Sequence, residues 1–368
     1  MRQFCLPREI GGARVRIEAG GLHHIGTELA REGFSGRAFL VADENTHRRF
    51  GSAVAQSCAD AGISLLTAVV PPGEGSKSLA TSSILYDQLA QANWHRDEPI
   101  VALGGGVVTD LAGFVAATWL RGTPLVSCPT SLQAAIDAAI GGKCGLNHPA
   151  GKNLIGAFHH PTLVLIDPTC FESLPERALR AGLAESIKHA LIADESFLTW
   201  QEQRCDEILG LDGPTIEELL ERNIHIKIGF VQGDTRDTIG SRIKLNFGHT
   251  VGHAIETHLG FELLHGECVA LGMVAAAWMS TRLGMLSDAS HHRLLSVLRR
   301  FELPTKAPGP LEVDAILALM EYDKKVQAGR RRFVLLEEIG RAVVHDNVPD
   351  DLVRDSVSRL SREPAPGR

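Results

Sequence analysis

Five short apolar runs punctuate the first half of the chain, at 37–42, 64–70, 99–103, 125–128 and 163–167. They are nearly continuous in apolar residues rather than alternating, which is the pattern of strands buried on both faces. Between them, 44–61 and 78–92 have helical character. Strands alternating with helices predict a parallel sheet covered on both faces, with ligands at the carboxyl ends of its strands. The texture changes after Asp167-Pro-Thr-Cys-Phe171. Amphipathic helical patterns then dominate at 177–193, 215–231 and 248–258, and small residues continue them over 267–283. The expected organisation is an α/β domain over 1–173, an all-helical domain over 174–360, and a frayed, Pro-rich tail at 361–368.

Composition narrows the function classes. A length of 368 residues fits two cores better than one. A net charge of −7 argues against nucleic acid as a partner. No apolar run is long enough to span a bilayer, and the N-terminus has no signal-like apolar core. Seven cysteines without Cys-x-x-Cys spacing argue against a disulfide framework and for a cytoplasmic setting.

Candidate chemistry gathers at a few points. In Asn246-Phe-Gly-His249-Thr-Val-Gly-His253-Ala-Ile-Glu256, the two histidines are four residues apart and share a helical face. His265 follows in Leu264-His265-Gly-Glu267, after a short break that lets it fold back. Three imidazoles so placed suit zinc. Glu185, three residues before Lys188 on an apolar helical stretch, could complete a His-His-Glu set with one coordination position open. Gly104-Gly105-Gly106 follows a strand and opens a helix, a place where backbone amides can approach a phosphate. Glu74 in Pro71-Pro-Gly-Glu74-Gly-Ser-Lys77, and Asp43 with Asn45 at a strand end, could reach ribose hydroxyls. Asp137 to Lys143 and Gly151-Lys152-Asn153 set lysines among small and apolar residues, where an anion is the natural counterion.

These segments occur in the order and with the residues of a known family. Gly104 to Phe114, Asp137 to Lys143, Asn147 to Phe158, Leu174-Pro-Glu-Arg177, Gly182 to Lys188, Asn246 to Glu256, His265-Gly-Glu267 and Asp323-Lys324-Lys325 closely resemble 3-dehydroquinate synthases, among the sugar phosphate cyclases. The resemblance runs from about Ala38 to Ile339. It implies an N-terminal Rossmann-like domain and a helical C-terminal domain with the active site in the cleft, usually in a homodimer. It implies NAD and a divalent metal, zinc or cobalt, as cofactors and a small sugar phosphate as substrate. The implied reaction converts 3-deoxy-D-arabino-heptulosonate 7-phosphate to 3-dehydroquinate and phosphate, by transient oxidation with NAD, phosphate elimination, reduction and intramolecular aldol closure in the shikimate pathway.

Matched by motif, the resemblance implies Glu185, His249 and His265 as metal ligands, which leaves His253 as an acid/base group. Lys143, Lys188, Arg242 and Asn246 are implied at the reacting substrate. Arg121, Asp137, Asn153, Lys227, Lys324 and Lys325 are implied as substrate contacts, Arg121 reaching across the dimer. The implied NAD set is Asp43, Asn45, Glu74, Lys77, Gly105, Gly106, Asp110, Thr130, Ser131, Lys152 and Ser173. The chain departs from the family pattern by one extra residue between Lys227 and Arg242, by Thr235 after Asp234, and by Gln133. Two other enzymes fit the same parts: a related cyclase acting on sedoheptulose 7-phosphate, and a metal-dependent polyol dehydrogenase. Retained Arg242, Asn246, Lys324 and Lys325 favour a substrate that carries a carboxylate.

Overall fold

The computed structural model of the chain describes residues 1–149, 151–234, 240, 242–321 and 332–361. The fold forms two compact units, one of Met1–Leu174 with Gly213–Arg236, the other of Pro175–Asp212 with Asp237–Arg368. The first unit is built on strands β1 (Arg2–Cys5), β2 (Arg14–Ile17), β3 (Arg37–Asp43), β4 (Ser64–Val70), β5 (Ile100–Gly104), β6 (Leu125–Pro129) and β9 (Leu163–Ile166). Between β6 and β9 the chain makes a separate antiparallel hairpin, β7 (Lys143–His148) and β8 (Gly151–Phe158). The main sheet runs β1-β2-β9-β6-β5-β3-β4, and every pairing in it is parallel except β1 with β2.

The apolar runs at 37–42, 99–103, 125–128 and 163–167 become strands for the expected reason, whereas the run at 64–70 forms the last strand of the sheet and leaves Ser64, Leu66 and Val69 exposed. Every residue of β5, β6 and β9 is buried, because helices cover the sheet. Phe39, Val41, Ile100, Ala102 and Leu125 pack with Leu85 and Leu89 from the Leu79–Gln91 helix and with Leu111 and Val115 from Gly106–Thr118. The chain steps outward from β3 to β4 and then returns to place β5 on the other side of β3. That reversal makes the carboxyl ends of β3 and β5 a switch point, where open α/β sheets bind ligands.

Two features differ from the sequence reading. The amphipathic pattern at 215–231 does form a helix, Gly213–Gln232, but it belongs by its contacts to the first unit and not to the second. Lys227 on this helix donates to the backbone carbonyl and the carboxylate of Asp137. Near the helix start, Glu217 Oε2 lies 3.1 Å from the Met1 ammonium. The second unit is mostly helical rather than all-helical. It contains an antiparallel hairpin, β10 (Phe333–Glu338) and β11 (Arg341–His345), which turns at Gly340 with φ +88°. This hairpin docks on the helix His265–Arg282, whose Ser280 Oγ accepts from Leu336 N at 3.0 Å. Residues 362–368 of the expected tail lie outside the described residues.

Candidate functional site

Three helices of the second unit, Glu176–Ala193, His249–His258 and His265–Arg282, bring four metal-type donors together. Glu185 is fully buried, and its Oε1 lies 3.4 Å from both His249 Nε2 and His265 Nε2. One nitrogen of each of His249, His253 and His265 lies within 4.8 Å of the others.

Close approach of these helices depends on glycine. A Cβ on Gly266 would sit 1.8 Å from the carbonyl oxygen of Ala181, and one on Gly272 would sit 1.8 Å from that of Gly248. Both contacts are backbone, so no side chain could move aside to relieve them. Glu267 fixes the start of the third helix by accepting from Leu264 N at 2.8 Å, and Arg177 holds both its oxygens at 2.7 Å. The His-Gly-Glu triplet therefore places His265 against the Glu185 helix.

The donor set fits a tetrahedral divalent cation. Two ligands about 2.05 Å from zinc at tetrahedral angles stand about 3.3 Å apart, and the observed oxygen–nitrogen distances are 3.4 Å. Glu185 Oε1 is buried and accepts no hydrogen bond, an orphaned acceptor that a cation satisfies. His249 Nδ1 lies 3.2 Å from the carbonyl oxygen of Phe247, and the proton held there leaves Nε2 as a lone pair.

The electrostatics agree with this reading. Burial would raise the Glu185 carboxyl, but the Lys188 ammonium and then His249 outweigh it and hold the group well below the usual carboxylate range. Lys188 is itself 1 % exposed and pairs with Glu185 Oε2. Burial and Lys188 lower His249. Burial opposes the charge on His265 too, yet Glu185 and Glu256 raise it to about 9. The pocket between these carboxylates favours positive charge, which a metal ion supplies by displacing the proton.

In the first unit, the carboxyl ends of the central strands collect most of the residues assigned to NAD. Gly105 caps the helix Gly106–Thr118, and Thr130 N donates to Gly104 O at 3.0 Å. Lys77 bridges Asp110 and Asn153, so Asn153, read as a substrate contact, lies among residues assigned to the cofactor. Asp110 is pushed up to about 6 by burial, which Lys77 only partly offsets. Glu74 accepts from Asn147 Nδ2 at 3.0 Å and lies 3.7 Å from Lys152 Nζ. Asn147 had no assigned role, although its side chain also accepts from Asn153 N at 3.1 Å.

Other assigned residues have local partners. Asp43 caps the helix Glu44–Asp60 through Asn45 N and Thr46 N, Ser131 Oγ accepts from Ala134 N, and Ser173 Oγ donates to Cys170 O. Lys143 begins β7, and Arg242 and Asn246 bound a short 3-10 helix in the second unit. Lys324 and Lys325 lie outside the described residues, as does Thr235.

Comparison with known proteins bears on this arrangement. Residues 67–181 match the family model for 3-dehydroquinate synthase N-terminal, and residues 182–326 match that for 3-dehydroquinate synthase C-terminal. The chain is 41% identical to the 3-dehydroquinate synthase of Nostoc punctiforme over 92% of its own length and 94% of that protein. It is 42% identical to that of Symbiobacterium thermophilum over 96% of itself and 100% of the relative. A solved 2-epi-5-epi-valiolone synthase from Streptomyces hygroscopicus subsp. jinggangensis, with NAD+ and Zn2+ bound, is similar with a TM-score of 0.87 and 28% identity, covering 95% of this chain and 96% of that one. With both family models matched in sequence order and relatives similar along nearly the whole length, the chain belongs to the 3-dehydroquinate synthase family.

Proposed function

We propose that the protein converts 3-deoxy-D-arabino-heptulosonate 7-phosphate to 3-dehydroquinate and phosphate, as a carbon–oxygen lyase that uses NAD and a divalent metal in every turnover. The observation that carries this reading is membership of the family, joined to a buried carboxylate 3.4 Å from two imidazole nitrogens. In this reading Glu185, His249 and His265 hold zinc or cobalt. When bound, the metal supplies a Lewis acid for a substrate hydroxyl, and NAD supplies a hydride acceptor that returns the hydride.

The protein's own residues hold charge and geometry around that chemistry. His253, one helical turn beyond His249, moves protons at the substrate. Lys188, Arg242, Asn246, Lys143, Asp137, Asn153 and Lys227 are assigned to the substrate. Lys324 and Lys325 are assigned to the substrate as well. Asp43, Asn45, Glu74, Lys77, Gly105, Gly106, Asp110, Thr130, Ser131, Lys152 and Ser173 form the NAD set.

A homodimer is part of the same proposal. Among the described residues, seven of the ten exposed large hydrophobic side chains fall between Leu66 and Phe158 of the first unit. Exposed large apolar side chains are surface that a subunit interface would cover. Leu120 and Arg121 lie within this stretch with φ of +47° and +65°, a strained turn suited to aiming Arg121 at a neighbouring subunit's substrate phosphate. Sedimentation equilibrium is expected to give twice the mass of one chain, and a monomer at micromolar concentration would remove this part of the reading.

The setting proposed is the cytoplasm. No helix among the described residues is long and apolar enough to cross a membrane, and none of the seven cysteines is in a disulfide among the described residues. Incubation with NAD, zinc and each candidate sugar phosphate tests the activity directly. Phosphate release is expected from the heptulosonate without net NADH. Release from sedoheptulose 7-phosphate alone, or NADH accumulating with a polyol, would replace this reading by one of the two others.

A further inference from the structure

The face of the helix His249–His258 that carries His249 and His253 also carries Glu256, seven residues after the first histidine and so two turns along the same side. Glu256 is 4 % exposed, a costly position for a carboxylate unless it meets positive charge or a donor. Its Oε2 lies 3.4 Å from His265 Nδ1, and Nε2 of the same ring lies 3.4 Å from Glu185 Oε1. The imidazole of His265 is thus held between two carboxylates, one at each nitrogen.

From this geometry we propose that Glu256 is a positioning residue of the metal centre. By accepting from Nδ1–H it commits the ring proton to that side, keeps the Nε2 lone pair facing the cation, and makes the imidazole a more basic ligand. His249 has a weaker version of the same arrangement, since its Nδ1 faces a neutral backbone carbonyl, that of Phe247, at 3.2 Å. The two histidines are therefore unequal. His265 has a charged partner and stands at the first turn of its own helix, so it relies on Glu256 for its orientation. Together Glu185 and Glu256 also bring two negative charges to a doubly charged ion.

The inference rests on the metal reading above, and one experiment separates their failures. Zinc dissociation constants are measured on metal-free wild-type protein, His265→Ala, Glu256→Gln and Glu256→Met by competition with a chromogenic chelator, alongside thermal melting of each metal-free form. Glu256→Met is expected to bind zinc about 10- to 100-fold more weakly than wild type, the usual cost of losing an outer partner of a ligating histidine. Glu256→Gln, which keeps an oxygen for Nδ1–H and loses the charge, is expected between them, about three- to tenfold weaker. Metal-free Glu256→Met that melts like wild type and binds zinc as tightly overturns the proposal. If that variant does not fold, Glu256→Gln decides, and wild-type affinity in it is the overturning result. If wild-type protein binds no zinc, or His265→Ala binds it as tightly as wild type, the metal reading itself has failed.

Discussion

His265→Ala is expected to purify without bound zinc and to release phosphate at least ~10³-fold more slowly than wild type, while keeping its fold. A Lewis acid contributing about 4 kcal/mol to the transition state corresponds to about three orders of magnitude in rate. The substitution removes one of the two nitrogens 3.4 Å from Glu185 Oε1 and leaves two acidic groups, Glu185 and Glu256, without the ring that separates them. Stability should suffer little. His265 is the first residue of its helix, where alanine is tolerated, and the cap made by Glu267 on Leu264 N does not involve its side chain. Metal content by atomic emission after gel filtration, with circular dichroism as a control, checks both parts. Full zinc occupancy in the folded variant would refute the ligand assignment.

His253→Ala should show the opposite division. Zinc is expected at wild-type stoichiometry, with turnover lowered ~10²- to 10⁴-fold, the range for removal of a general acid or base. The three rings are near neighbours. The His253 centroid is 5.1 Å from that of His249 and 5.6 Å from that of His265, so spacing among the histidines alone does not say which two bind metal. The buried carboxylate supplies the asymmetry, since Glu185 Oε1 is 3.4 Å from a nitrogen of both His249 and His265. If His253→Ala loses as much zinc as His265→Ala, the division of roles is wrong and a three-histidine site takes its place.

Much of the fold was legible because burial leaves a strong mark. Strands β3, β5, β6 and β9 stand where the apolar runs predicted them, since a strand covered on both faces has little room for polar residues. Strand β4 stands at its run as well, although as the last strand of the sheet it leaves Leu66 and Val69 exposed. Strands β1 and β2 left no such mark. They are four residues each, Arg-Gln-Phe-Cys and Arg-Val-Arg-Ile, and it is pairing that makes them strands, β1 at the sheet edge and β2 between β1 and β9. The lysine-bearing segments around Gly141–Lys143 and Gly151–Asn153 read as places for an anion, and their strand character, at the starts of β7 and β8, left no mark of its own. Within the metal cluster, the four-residue spacing of His249 and His253 was plain and Glu185 offered itself as the completing oxygen, but the family pattern was needed to set His253 apart from the ligands. Glu256 shares their helical face, a signal that the spacing contained. Its use became visible only when His265 folded back to within 3.4 Å of it.

The return of the Gly213–Gln232 helix to the first unit has a consequence for how the chain is made. During synthesis, residues 1–174 emerge with the whole sheet but without the helix whose Lys227 answers Asp137, ninety positions earlier. A segment of the other unit, 175–212, must leave the ribosome first. The early part therefore completes its packing only after about two thirds of the polypeptide is outside, and until then the surface reserved for that helix is open to solvent and to chaperones. A fragment ending at 174 would carry the same gap permanently, so an excised first unit should be built with the 213–236 segment attached.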